Sequence, residues 1–341
     1  MKNNTYIISD VELGRGDIMD GFHDDDKLVA FIESIKSHSA DEIVTLVFNG
    51  DSFDFLKMGY RGKYPRLITE EISLWKINEI YAAHRKVFQA LKSFLSNKKH
   101  RLVFVIGNHD PDLAWPSVKK FIREKLSASK NIDFTFRYKK NGLQAEHGHL
   151  FDVFFTFNIK KPIIKYRKKE ILNLPWGCRI CFSHLNKVKL SFPDEEKYQP
   201  ATEYAKLNPA YKKAIQKAIS AIILKELLLR PLLFPYDPTR RAPTQKIITE
   251  TIRRGFKALS YEQYKLIDFR RLRKKFPQVK IFVLGHTHCL GDLSYKGQRH
   301  LVTDTWREEI DVRTMRQKSK TYALVRFHGK KLLSADLKTF N

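Results

Sequence analysis

The chain has 341 residues, with 63 Lys and Arg against 37 Asp and Glu, a formal charge of +26. A hydrophobic fraction of 43% excludes wholesale disorder, and three cysteines are too few for a disulfide framework. No stretch reaches the ~18 uninterrupted apolar residues of a membrane span, because Lys225, Glu226, Arg230 and Pro231 break the nearest one. One large α/β domain, or one domain with a sizeable insertion, is the size class that remains. The positive excess favours polyanionic partners: nucleic acid, an anionic membrane surface or phosphorylated substrates. The chain opens directly into a strand pattern without the series of a signal peptide. A cytoplasmic location is the expectation, with peripheral membrane contact compatible with the charge.

In chain order, residues 5–9 form a short apolar strand ending at Asp10-Val11-Glu12. Residues 24–37 have helical spacing at Leu28, Phe31, Ile32 and Ile35. The run from Ile43 is apolar and β-branched until Asn49-Gly50, where Asp51 and then Asp54 follow. One long helix is predicted over 65–98. The apolar strand 101–106 ends in Gly107-Asn108-His109-Asp110. A polar helix over 117–126 precedes strands at 133–138 and 143–146. Asn141-Gly142 between them is a hairpin signal, and the second strand ends in His147-Gly148-His149.

Residues 155–240 differ in character, being rich in Lys, Arg, Pro and aromatics. They read as a basic, largely helical insertion, a cap over a site, within a single domain spanning 1–341. Asn208-Pro209 is a helix start, and Ile215 to Leu229 carry an apolar stripe that reads as core rather than membrane contact. Cys178 and Cys181, with His184 after them, lack a close fourth ligand and read as buried thiols rather than a zinc site. A capping box at Ser260 and Gln263 opens a helix running to Pro277. Strand 280–284 ends in Gly285-His286-Thr287-His288, and the remainder, from LVTDTW onward, reads as closing strands.

Five strand ends thus carry acids, Asn or His within a few residues of the last apolar position. Ligands of open α/β sheets bind beyond the carboxyl ends of strands, so five such ends converge on one site. Carboxylates, an amide and imidazoles suit borderline divalent ions rather than a thiolate-seeking metal. Two ions bridged by one carboxylate, here Asp51, can activate a water as hydroxide and clamp a phosphoryl oxygen, with no protein nucleophile.

These blocks resemble those of the calcineurin-like metallophosphoesterase superfamily: Asp-x-His, Gly-Asp-x-x-Asp, Gly-Asn-His-Asp/Glu, His-Gly and Gly-His-x-His, in order. The resemblance implies an αββα fold, a β-sandwich flanked by helices. It implies one metal on Asp10, Asp51, His288 and Glu12, and another on Asp51, Asn108, His147 and His286. His109 is the implied phosphate contact and proton donor, with Asp54 holding its ring. Manganese leads as the metal, with iron, zinc, magnesium and cobalt as the other fits. Glu12 departs from the family, which has His there; its harder oxygen shifts the expectation toward Mn²⁺ or Mg²⁺.

Protein phosphatases of the superfamily have Arg-Gly after the second block and Asn-His-Glu in the third. Phe55-Leu56 and Asp110 stand here instead. Gly-Asp-x-Phe-Asp and the basic insertion resemble the UDP-2,3-diacylglucosamine pyrophosphohydrolases. That branch implies a phosphodiester or pyrophosphate bond in a nucleotide-sugar or lipid-linked substrate. Two alternatives stand beside it: a nucleic-acid phosphodiesterase, and a phosphate-binding protein disabled at Glu12.

Overall fold

The computed structural model describes residues 2–39, 41–127, 130–234, 236–240, 244–257 and 269–341. The first half runs β1 (Lys2–Ile8), α1 (Asp25–His38), β2 (Ile43–Asn49), α2 (Glu70–Ala83), α3 (Arg85–Phe94), β3 (His100–Val105), α4 (Pro116–Leu126), β4 (Ile132–Thr135), β5 (Tyr138–Lys140) and β6 (Leu143–Ala145). Within residues 155–240 follow β7 (Ile163–Tyr166), β8 (Lys169–Leu172), α5 (Trp176–Ile180), α6 (Asn186–Ser191), β9 (Tyr198–Gln199), α7 (Ala201–Leu207), α8 (Pro209–Ala221) and α9 (Arg230–Leu233). Then come α10 (Gln245–Lys257), α11 (Phe269–Lys275), β10 (Ile281–Leu284), β11 (Gly291–Tyr295), β12 (Gln298–Val302), β13 (Ile310–Asp311), β14 (Arg316–Gln317), β15 (Lys320–His328) and β16 (Lys331–Phe340).

Two sheets carry the architecture, ordered β16-β15-β1-β2-β3-β4 and β11-β12-β10-β6-β5. Strands β1 to β4 are parallel, as are β6, β10 and β12. Alternating burial explains the layering. Ile7, Val47, Val103 and Val105 meet Ala145, Ile281 and Val283 of the second sheet. Their neighbours Ile8, Leu46, Phe48, Leu102 and Phe104 face α1 to α4 on the other side. Phe282 and Leu284 pack outward on Leu272 and Phe276. The result is the expected four-layer αββα arrangement. Both faces of the central strands are buried, which is why they read as unbroken apolar runs.

α1 starts where expected: Asp24 Oδ1 accepts from the Lys27 amide at 3.2 Å, and Leu28, Phe31, Ile32 and Ile35 are its buried face. Other boundaries moved. The helix predicted over 65–98 is two helices, broken at His84 (φ −109°, ψ 38°). Its ring is held by Asp25 at 2.7 Å and Asp20 at 3.2 Å. No Gly or Pro marks the break, because tertiary ion pairs hold it. The strand predicted over 133–138 also divides. Ile132–Thr135 pairs with β3 in the first sheet, whereas Tyr138–Lys140 forms the Asn141-Gly142 hairpin with β6 in the second. A single predicted strand therefore crosses the sandwich at Phe136-Arg137.

In the insertion, Asn208 caps α8 through the Tyr211 amide at 3.0 Å. The Ile215 to Leu229 stripe is core only in part: Ala218 and Ile222 are buried, but Ile219, Ile223, Leu224 and Leu228 are exposed. One face of α8 meets Val188 and Phe192. The capping box at Ser260 and Gln263 lies outside the described residues. No helix among the described residues is long and apolar enough to cross a membrane.

Candidate metal centre

The site is built from turns that leave β1, β2, β3, β6 and β10. Asp10, Glu12, Asp51, His286 and His288 all have positive φ, between 50° and 71°. This left-handed backbone costs a side-chain-bearing residue on the order of 1 kcal/mol, so the fold must hold it. Part of the hold is a ladder between the first two turns. The Asp10 and Glu12 amides donate to the Gly50 and Asp51 carbonyls at 3.1 and 2.8 Å. Gly107 has a different reason to be glycine. A Cβ there would lie 2.0 Å from Asp51 Oδ1, so only a bare backbone lets the third turn close on that carboxylate.

Asp10, Glu12, Asp51, Asn108 and His147 are at most 2% exposed. Around one position, His147 Nε2 lies 2.9 Å from Asp51 Oδ2 and 3.2 Å from Asn108 Oδ1. The other nitrogen of that ring, Nδ1, meets the Asn49 carbonyl at 3.1 Å, which aims Nε2 inward. His286 joins this group, its ligand atom within 4.8 Å of those of Asp51 and His147. Around the other position, His288 Nε2 lies 3.3 Å from Asp10 Oδ1 and 3.5 Å from Glu12 Oε1. Donors arranged ~2.1 Å from one small divalent ion stand about 3.0–3.4 Å apart, and the contacts of His147 with Asp51 and Asn108 and of His288 with Asp10 and Glu12 fall near that spacing. Glu12 Oε1 is moreover buried with no hydrogen-bond partner. The residues fit a metal at each position, and Asp10 Oδ1 of the second set lies 3.8 Å from His147 Nε2 of the first.

Glu12 is embedded in charge. Its Oε2 accepts from Lys57 Nζ at 2.8 Å and Arg307 Nη1 at 3.0 Å. Lys57 also reaches Glu196 at 2.7 Å and Asp54 at 3.1 Å, and Arg307 reaches Glu309 at 2.6 Å. Burial would raise the Glu12 pKa, but Arg307 and then Lys57 hold it well below the usual range. The Glu12 carboxylate is thus matched by two buried cations that neutralise it.

His109 sits beside this network. Its amide donates to Asp51 Oδ1 at 2.8 Å, and its Nδ1 is 2.9 Å from Asp54 Oδ1. Burial opposes its protonation, but Glu12, Asp51 and Asp54 raise its pKa to about 9. Asp110 ties the turns together, accepting from the Gly107 amide at 2.6 Å and the Ser52 amide at 2.8 Å. Burial, then the Asp51 charge, push its own pKa up to about 7. His149 is buried beside His147 and His286, with neither ring nitrogen hydrogen-bonded; burial and those two rings keep it neutral.

Several residues escaped the sequence reading: Asp152, 3.2 Å from His286 Nε2, and Lys57, Glu196, Arg307 and Glu309. Asp152 follows the His147 block, and Arg307 follows LVTDTW directly, so proximity to motifs was the available signal. Glu196 had none; it arrives from the 155–240 segment. That segment is bonded to the centre, with Cys178 Sγ donating to the Asn108 carbonyl at 3.2 Å and Asn186 Nδ2 to the Leu56 carbonyl at 3.0 Å. Cys178 and Cys181 are free thiols, and His184 pairs with Glu226 at 2.7 Å rather than with them.

No family model and no curated protein matches the sequence. Solved structures give distant likenesses. A conserved Streptococcus pneumoniae protein described as a predicted phosphoesterase is 10% identical, over 99% of this chain and 90% of that one, with a TM-score of 0.32. A putative 5′-nucleotidase from Staphylococcus aureus is 12% identical, over 99% of this chain and 54% of that one, with a TM-score of 0.34. The phosphopantetheinyl hydrolase of Mycobacterium tuberculosis is 12% identical over 90% of this chain and 91% of that one, at 0.34. Likenesses this distant say nothing of what this chain acts on.

Proposed function

We propose that this chain is a phosphoesterase using two divalent ions to hydrolyse a phosphodiester or pyrophosphate bond. One ion is assigned to Asp10, Glu12, Asp51 and His288, the other to Asp51, Asn108, His147 and His286. When bound, the ions supply Lewis acidity and an activated water. The observation that carries the reading is a pair of adjoining metal-spaced donor sets, His147 with Asp51 and His288 with Asp10 and Glu12, linked by His147 Nε2 at 3.8 Å from Asp10 Oδ1 and beside the orphaned Glu12 Oε1. They border a cleft of about 260 Å³ lined also by His109, Phe155, Gln199 and Arg307. His109, held by Asp54 at 2.9 Å, is assigned to contact the phosphoryl group and give a proton to the leaving oxygen. Phe155 and Gln199 lie at or beside the insertion, which we assign as a cap, 155–240, that shapes substrate choice. A nucleotide-sugar or lipid-linked diphosphate is the substrate class we favour, with Mn²⁺ as the metal.

Purified protein with Mn²⁺ is to be offered bis-p-nitrophenyl phosphate, nucleotide-sugar diphosphates with and without acyl chains, and single-stranded DNA. Cleavage of the acylated diphosphate above the rest is expected. Preference for DNA would transfer the assignment to a nuclease, and turnover of none with metal bound would leave a binding protein. A titration gives an independent check on His109. In metal-free protein its imidazole should titrate near pH 9 by NMR, so it is protonated at neutral pH. Asp54→Asn should lower that value, because the neutral amide no longer favours the imidazolium. Metal loading should lower it too, since the ions' charge opposes that of the carboxylates. An Asp54→Asn titration unchanged from the parent protein would remove the pair from the mechanism.

A further inference from the structure

Exposed large apolar side chains are scattered over most of the chain, as at Ile18, Leu74 and Leu333. Residues 206–236 concentrate them: Ile219, Ile223, Leu224, Leu232, Leu233 and Phe234 are all exposed, Leu232 at 80% and Leu233 at 65%. These side chains are not an unfinished core. α8 has already buried its other face, with Tyr211 and Ala218 against Val188 and Phe192. The charged residues of the same stretch are equally one-sided. Lys206, Lys212, Lys213, Lys217 and Lys225 are exposed, whereas no acid is exposed among the described residues of 206–236. The single acid of the stretch, Glu226, is turned inward against His184 at 2.7 Å.

An apolar face fringed by lysine and free of exposed carboxylates matches the chemistry of an anionic bilayer surface. Leucine and isoleucine enter the headgroup boundary while lysine meets lipid phosphate. A spanning role does not apply, since no described helix is long and apolar enough. A second copy of this chain fits poorly. A two-fold contact brings the same patch against itself, and here that sets lysine fringe against lysine fringe on a chain of formal charge +26. We propose that the described residues of 206–236 form a docking face for an anionic lipid bilayer. The helical segment beneath it is bonded to the Asn108 and Leu56 turns, so docking sets the metal centre close to the membrane.

The test is sedimentation of the full chain with vesicles, a binding readout that involves no turnover and so stands apart from the hydrolase reading. Phosphatidylcholine vesicles containing phosphatidylglycerol should carry the protein down, and phosphatidylcholine alone should not. Binding should weaken as salt is raised. Each of Lys212→Gln and Lys213→Gln should reduce partitioning about fivefold. Leu232→Glu with Leu233→Glu should reduce it at least about tenfold with the circular dichroism unchanged, because both sites are exposed. Equal sedimentation of this double variant and the parent chain would overturn the proposal. So would no sedimentation with any vesicle, or a dimer in analytical ultracentrifugation that the double variant dissociates, which would assign the face to a second copy.

Discussion

Asp51→Asn is expected to lower kcat by at least about 10³-fold, on the order of 4 kcal/mol in the barrier, and to reduce bound metal. Asp51 is 2% exposed, and its two oxygens face different partners: Oδ1 the His109 amide at 2.8 Å, Oδ2 the His147 ring at 2.9 Å. Burial favours its neutral form, yet His147 and then His109 keep it ionised well below the usual range. Asparagine preserves the volume but offers one neutral oxygen, so it cannot serve two ions. Steady-state kinetics on the best chromogenic diester, with metal content by mass spectrometry, checks both effects. A near-parental kcat with two ions retained would remove Asp51 from the bridging role.

Arg307→Met should cost about 3–5 kcal/mol of stability, the usual effect of leaving a buried charge without its partner. Arg307 is 5% exposed and serves Glu12 at 3.0 Å, Glu309 at 2.6 Å and Glu196 at 3.5 Å. Adding Glu12→Gln should recover part of the loss, because it removes one of the stranded carboxylates. The pH dependence has a definite sign. The depressed Glu12 pKa contributes stability above the ordinary glutamate value of 4.5, lost as pH falls through the lower folded value. The gap between parent and Arg307→Met should therefore be full at neutral pH and narrow only in acid. Urea unfolding across pH measures it; a loss below about 1 kcal/mol, or no rescue by the second substitution, would show that these charges are not coupled.

The donor set was legible because each donor rides on a strong local signal. Parallel strands buried on both faces read as unbroken apolar runs, and the glycines at their ends mark where backbone must approach a carboxylate, as Gly107 does at Asp51. The counter-charges carry no such signal. Lys57 and Arg307 are two among 63 basic residues, and Glu196 comes from a different part of the chain. Their value lies in pairing across the fold.

Some boundaries failed for the same reason. Apolar spacing continues through His84, yet the helix breaks there because Asp20 and Asp25 hold its ring. Residues 133–138 look like one strand until pairing partners assign its two ends to different sheets. By itself the sequence determined the α/β class, the order of the strand ends and the acids, amide and imidazoles each one carries, since those follow from local period and turn chemistry. Tertiary structure alone decided how the Glu12 charge is neutralised, and that the stripe after Ile215 faces outward as well as inward. Periodicity defines a face, whereas only packing says what, if anything, covers it.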